Sequence, residues 1–274
     1  MWSSKFLPSP GWGGEPSAEE RMVEGACALS NYPSTSFAGS PSHRFAAGRK
    51  VAAALLLVLA TCRAQPEQPQ FPTAERDVAP IVGDTFSTED ARDRLGEAQQ
   101  VIQLAGVRPG MWVADVGAGQ GYYTVRLARV VGPKGRVLAE DIMTEATDQL
   151  TERVQRERLD NVAVRLGTPD DPLLPAKTFD RIFLVHMYHE VASPYAFLWH
   201  MREGLKPNAL VVVVEADRPV KRHGMPIEQL RCEFAAVGLT LVKSTMLAGG
   251  EAYFAAFRAS APRPAPADIK PCKS

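Results

Sequence analysis

The chain has 274 residues, 31 of them basic and 31 acidic, so its formal net charge is zero. That balance excludes the broad basic footprint of a protein that grips nucleic acid through its backbone. The length admits one domain of about 200 residues plus appendages, and no internal repeat is visible.

Residues 1–43 are rich in Ser, Pro and Gly with little apolar periodicity, the composition of a disordered leader. Arg44, Arg49 and Lys50 then precede an apolar run over 51–60. A basic flank, a short apolar core and small residues after it make 44–64 a signal-peptide-like segment, with cleavage after Ala64. The run is too short to cross a bilayer, which takes ~20 apolar residues, so no transmembrane helix is expected. Leu59-Ala60-Thr61-Cys62 is an imperfect lipoprotein box, which leaves leader-mediated membrane association open. The leader points to an exported or periplasmic protein. A cytoplasmic protein with a retained or mis-started leader is the alternative. Residues 65–85 read as a proline-rich linker, 86–260 as the folded domain and 261–274 as a loose tail.

Within the domain, Met111-Trp112-Val113-Ala114-Asp115-Val116 has the continuous apolar character of a buried parallel strand. Gly117, Gly119 and Gly121 follow, and helical spacing begins at Tyr122. Such a turn lets backbone approach a ligand and aims helix N–H groups at it. Tyr122 occupies the sixth position, where a dinucleotide fingerprint needs glycine. A P-loop is excluded too, because no Gly-Lys-Ser/Thr follows.

A second strand over 136–142 ends in Glu140 and Asp141, where an acid can accept hydrogen bonds from ribose hydroxyls. A helix over 144–157 and a third strand over 161–166 lead to Gly167-Thr168-Pro169-Asp170-Asp171-Pro172. The fourth strand, 179–185, runs into His186-Met187-Tyr188-His189-Glu190. A helix over 193–205, a turn at Lys206-Pro207-Asn208 and a fifth strand over 209–215 come next. A helix over 226–237 closes at Gly238. Strands over 239–246 and 252–258 then pair across Gly249-Gly250 as a hairpin. The expected fold class is α/β: a Rossmann-like, doubly wound, mostly parallel sheet with one antiparallel strand from the C-terminal hairpin.

The acid-x-Gly-x-Gly-x-Gly turn, the strand-end acid, Gly-Thr-Pro-Asp-Asp and Tyr-His-Glu resemble the motifs of class I S-adenosylmethionine (SAM) methyltransferases. The resemblance covers roughly Ala91 to Arg258. Arg92-Asp93, Gly106-Val107-Arg108-Pro109-Gly110 and Gly121-Tyr122-Tyr123-Thr124 look like a bacterial group of such enzymes, some with export signals. The resemblance implies SAM as cofactor, bound by Asp115, Gly117, Ala118, Gly119, Gly121, Tyr122, Asp141, Ile142, Thr168 and Asp170. In that scheme Asp115 orients the methionine ammonium, Asp141 holds the ribose with Glu140 as alternate, and Asp170 takes the adenine amine. His186 departs from the family pattern, where an acid is common.

The implied reaction is methyl transfer to a small-molecule acceptor, with the acceptor itself undetermined. His189 is the first choice of general base and His186 the second, because imidazole titrates in the useful range. Tyr188 is placed to pack on the sulfonium by a cation–π contact. The acceptor pocket is expected from 86–105, 187–197 and 215–225. No metal is expected; a metal-dependent hydrolase using His186, His189 and Glu190 is a rival reading. A catalytically silent SAM-fold binding protein is the alternative function. Cys232 and Cys272 could pair in an oxidising compartment, but a buried Cys232 and a free Cys272 is the expected outcome.

Overall fold

The computed structural model describes residues 69–82 and 88–273. The leader, the signal-peptide-like segment and the start of the linker lie outside the described residues. Seven strands form one sheet: β1 (Trp112–Val116), β2 (Arg136–Asp141), β3 (Val162–Leu166), β4 (Phe179–Val185), β5 (Leu205–Ala216), β6 (Leu239–Met246) and β7 (Ala252–Ala259). Their order is β3-β2-β1-β4-β5-β7-β6. The first five run parallel, and β7 is antiparallel to both β5 and β6. Only β7 is therefore reversed, as the sequence pattern implied.

Side-chain alternation along the strands sends successive residues to opposite faces. Val113, Val137, Phe183, Val212 and Phe254 pack on one face with residues of α2 (Glu97–Leu104) and α3 (Tyr122–Val131). Ala114, Ile182, Leu184, Val211 and Val213 pack on the other, with α5 (Pro194–Met201) and α6 (Ile227–Ala236). Leu150 of α4 (Thr144–Arg156) covers Ala118 and Ala139. A short helix α1 (Glu89–Arg94), capped by the Thr88 hydroxyl, precedes α2. The expected turn at Lys206-Pro207-Asn208 is instead a bulge within β5. Leu205 pairs with Phe179 and Leu210 with Arg181, and Asn208 takes a left-handed φ of 64° to absorb the extra residues.

Both ends of the domain depart from the sequence reading. The described part of the linker, 69–82, is a strap packed on the α5/α6 face. Phe71 sits edge-on to Trp199, Ala79 is buried, and Arg76 reaches Glu233. The tail is not loose. Ile269 and Cys272 are buried, Arg263 stacks on Trp199, and Lys273 bridges to Glu75 of the strap. Cys272 is not free: it is disulfide-bonded to Cys232 of α6. Adjacent sequence could not show this, because the tail's path across α5 brings the two together. No helix among the described residues is long and apolar enough to cross a membrane.

Candidate active site

The carboxyl ends of β1, β2, β4 and β5 open onto a cavity of about 740 Å³, within the range of small-molecule sites. Gly117 and Gly119 form part of its wall. Gly117 has φ 69°, and a Cβ there would stand 2.8 Å from Met187 Cγ. Gly121 is the left-handed N-cap of α3, and a Cβ on it would strike Leu150 Cδ1 at 2.3 Å. The first glycine thus lets backbone line the cavity, whereas the third serves the packing of α4 against the turn.

Asp141 and Glu140 both face the cavity, and their surroundings differ. Asp141 accepts from the backbone N–H of Gly119 and of Met143, each at 2.9 Å. Those bonds fix the carboxylate on the glycine turn and leave two of its four acceptor positions open. Glu140 is buried, its side chain filling the space that the missing side chain of Gly167 leaves. Its Oε1 has no hydrogen-bond partner. Burial, with Asp141 alongside, pushes its carboxyl up to about 8, opposed by the Gly117 N–H.

This has a measurable cost. The folded state binds the Glu140 proton more tightly than the unfolded chain, so stability falls as pH rises from about 4.5 to about 8. Glu140→Gln is expected to melt like the wild type at pH 4 and to be more stable by ~2 kcal/mol at pH 8.5, a value discounted for water in the cavity. Thermal melts at the two pH values check it. Equal stability at both would show that the carboxyl is not held neutral.

At the opposite wall, β4 ends where His186 takes a left-handed φ of 54°. A 3₁₀ turn over Tyr188–Glu190 follows. The turn divides the Tyr-His-Glu run between two environments. Tyr188 is fully buried away from the cavity, and its hydroxyl donates to Glu233 at 2.7 Å. Packing of Tyr188 on a sulfonium is therefore not what this fold provides. His189 lines the cavity instead. Its Nδ1 lies 3.0 and 2.8 Å from the two oxygens of fully buried Glu215. A carboxylate only accepts, so Nδ1 donates to it and Nε2 is the ring nitrogen turned away from Glu215. That Nε2 stands on the Glu190 side, 3.9 Å from Oε1.

His186 also lines the cavity, 3.3 Å from Glu97 of α2. Glu97 further accepts from Arg92 at 2.7 Å and from the Tyr123 hydroxyl at 3.0 Å. Burial pushes the Glu97 carboxyl up, but the His186 ring and the Arg92 guanidinium outweigh it and hold it at about 2. Glu97 was missed in sequence because its partners lie in distant elements; only Arg92, five residues before it, was a nearby signal.

The expected cofactor residues divide in the same way. Gly117, Gly119, Asp141, Ile142 and Thr168 line the cavity. Asp115, Ala118, Gly121, Tyr122 and Asp170 are not among its lining residues. Asp115 is buried beneath the turn and accepts from the Thr124 hydroxyl at 2.6 Å. Ala118 donates its N–H to the Glu140 carbonyl. The Tyr122 ring lies between the Arg92 and Arg126 guanidinium groups, with centroid distances of 3.9 and 3.8 Å. Asp170 is exposed and accepts from Thr168.

Residues 113–208 match the family model described as "Methyltransferase domain". A SAM-dependent methyltransferase from Aquifex aeolicus superposes with a TM-score of 0.59 at 25% identity, over 62% of this chain and 93% of that one. Residues 113–208 thus form a methyltransferase domain, on a fold shared with a SAM-dependent methyltransferase. Among curated relatives, the chain is 33% identical over 122 residues to a ubiquinone/menaquinone biosynthesis C-methyltransferase, UbiE, of Teredinibacter turnerae. The match covers 43% of this chain and 48% of that protein. It is 29% identical over 117 residues to a protein-L-isoaspartate O-methyltransferase of Ignicoccus hospitalis, covering 43% and 53%. The chain spans about half the length of the curated relatives it matches.

Proposed function

We propose that the protein transfers the methyl group of SAM to a small-molecule acceptor. The observation that carries this reading is one cavity with the glycine turn and the Asp141 carboxylate on one wall and His189, backed by Glu215, on the other. The relatives' names supply the reaction class and differ in acceptor, so the acceptor is left at the level of a small molecule.

The cavity fits the cofactor on its own chemistry. Gly117 leaves a cradle that a Cβ would fill, and Glu140 Oε1 is a buried polar atom short of a partner. In this reading Gly117 and Gly119 bring backbone against the methionine portion. Asp141 accepts from the ribose hydroxyls, and Thr168 with Pro169 lies on the adenine side. When bound, SAM supplies a methyl on a sulfonium whose sulfur leaves as a neutral thioether, keeping the electron pair. Holding the acceptor in line supplies most of the acceleration, an effect that reaches about 7–11 kcal/mol for well-oriented partners. His189 takes the acceptor's proton on Nε2, and Glu215 stabilises the imidazolium; general bases contribute ~10²–10⁴-fold.

The signal-peptide-like sequence of 44–64 and the Cys232–Cys272 bond together support a site of action in an oxidising compartment. Calorimetry with SAM tests the central reading. Asp141→Asn is expected to raise Kd about 10- to 100-fold, the loss of charged hydrogen bonds worth ~1.5–3 kcal/mol. Glu140→Gln, already neutral in the wild type, is expected to shift Kd by less than about 3-fold. A folded wild type that binds no SAM would remove the reading.

A further inference from the structure

His189, Glu190 and His223 carry nitrogen and carboxylate ligand atoms that all lie within 4.8 Å of one another. All three line the cavity. From this geometry we infer a divalent metal site of the zinc class, held by His189 Nε2, a Glu190 carboxylate oxygen and a ring nitrogen of His223. The inference deepens the proposed function by giving the acceptor side of the cavity a chemistry. The site itself stands on the three residues and not on SAM.

Three observations converge. First, two imidazoles and one carboxylate are the donor set of zinc sites that keep a fourth position for water or substrate. Ligand bonds of about 2.0–2.2 Å around a tetrahedral ion require donors roughly 3.3–3.6 Å apart. His189 Nε2 and Glu190 Oε1 are already at 3.9 Å, so modest side-chain rotation closes the set. Second, Glu215 binds His189 Nδ1 from behind. A carboxylate on the far nitrogen of a ligating histidine fixes the tautomer and makes the near nitrogen a better ligand. Glu215 also accepts from the His189 backbone N–H at 3.3 Å, which fixes the ring against it. Third, His223 is delivered by its own loop. It takes a left-handed φ of 53°, its carbonyl accepts from the Arg218 guanidinium, and its ring stands edge-on to His189 at 5.5 Å.

The metal reading weighed from sequence used His186, His189 and Glu190. The fold replaces His186, which faces Glu97, with His223 from the loop after β5. An ion here would take over activation of the acceptor from the imidazole. It would bind an oxygen or sulfur of the acceptor and lower the pKa of that group, and the proton would leave to solvent. The acceptor class that follows is a hydroxyl or thiol compound able to coordinate a metal.

The test is titration of the chelator-treated, tag-free protein with Co(II) and Zn(II) alone. One equivalent of Co(II) is expected to give a visible d–d absorption displaced by Zn(II). His223→Ala and Glu190→Gln should each weaken Zn(II) binding at least 10-fold. Glu215→Gln should weaken it ~10- to 100-fold, as loss of an outer-shell partner does, and His200→Ala should leave it unchanged. Circular dichroism and melting establish that each variant is folded. No stoichiometric binding, or binding that survives both His223→Ala and Glu190→Gln, would overturn the site. SAM calorimetry on the same samples separates that result from failure of the methyltransferase reading, because SAM binding is expected with or without the ion.

Discussion

Arg76→Ala is expected to destabilise the protein by about 3–5 kcal/mol, the cost of leaving a buried charge without its partner. Glu233 is fully buried on α6, and the Arg76 side chain is almost as enclosed, with Nε 2.7 Å from Glu233 Oε1. Tyr188 and Gln229 also donate to Glu233, at 2.7 and 3.0 Å, but neither carries charge. The same guanidinium binds the carbonyls of Tyr188 and Val191, and Ala79 of the strap donates to the His189 carbonyl. The loss should therefore reach the turn that carries His189. Denaturant melts read the stability, with a fall in Tm on the order of 10 °C. Replacing both partners, Arg76→Met with Glu233→Met, should recover more than half of it, because no buried charge is then orphaned. A single variant as stable as the wild type would mean that the strap does not dock in solution.

Cys272→Ser should cost about 4 kcal/mol. The bond closes a loop with a sequence separation of 40, and a crosslink of that span removes about this much from the unfolded chain's freedom, with measured losses of roughly 2–5 kcal/mol. The tail's other anchors include the Tyr195 hydroxyl, which accepts from Cys272 N–H at 2.6 Å, and the Pro264 carbonyl, which accepts from Trp199 Nε1. Thermal melts of wild type and variant, with and without a reductant, check the point. Reduced wild type should melt with the variant, and reductant should leave the variant unchanged. Identical melts of all four samples would mean that the two thiols do not pair.

The sheet was legible because its signals are local: apolar strands, punctuated turns and a Gly-Gly hairpin each occupy a few adjacent residues. The cofactor wall was legible in part for the same reason, since Gly117, Gly119 and Asp141 act where their strands end. The acceptor side was less so. Tyr188 and His189 are neighbours in sequence, and a single 3₁₀ turn sends one into the core and the other into the cavity. No period in the sequence marks that turn. Glu215 and His223 fall in the 215–225 segment expected to line the acceptor pocket, but nothing adjacent marks that Glu215 is fully buried behind His189. Cys272 was misread because a Pro-rich ending looks loose until its route over Trp199 and Tyr195 is seen.

The strap also has a consequence for the order in which the chain assembles. Arg76 and Glu233 are separated by 157 residues, so the first part of the domain to be made waits for nearly the last before it can dock. Contacts of such long separation form late and slowly. Until then the turn bearing His189 lacks the groups that hold its carbonyls. Ordering of that cavity wall is thus expected to depend on the meeting of the strap with α6. A chain trimmed of the strap would leave the His189 turn without the Arg76 and Ala79 contacts to its carbonyls.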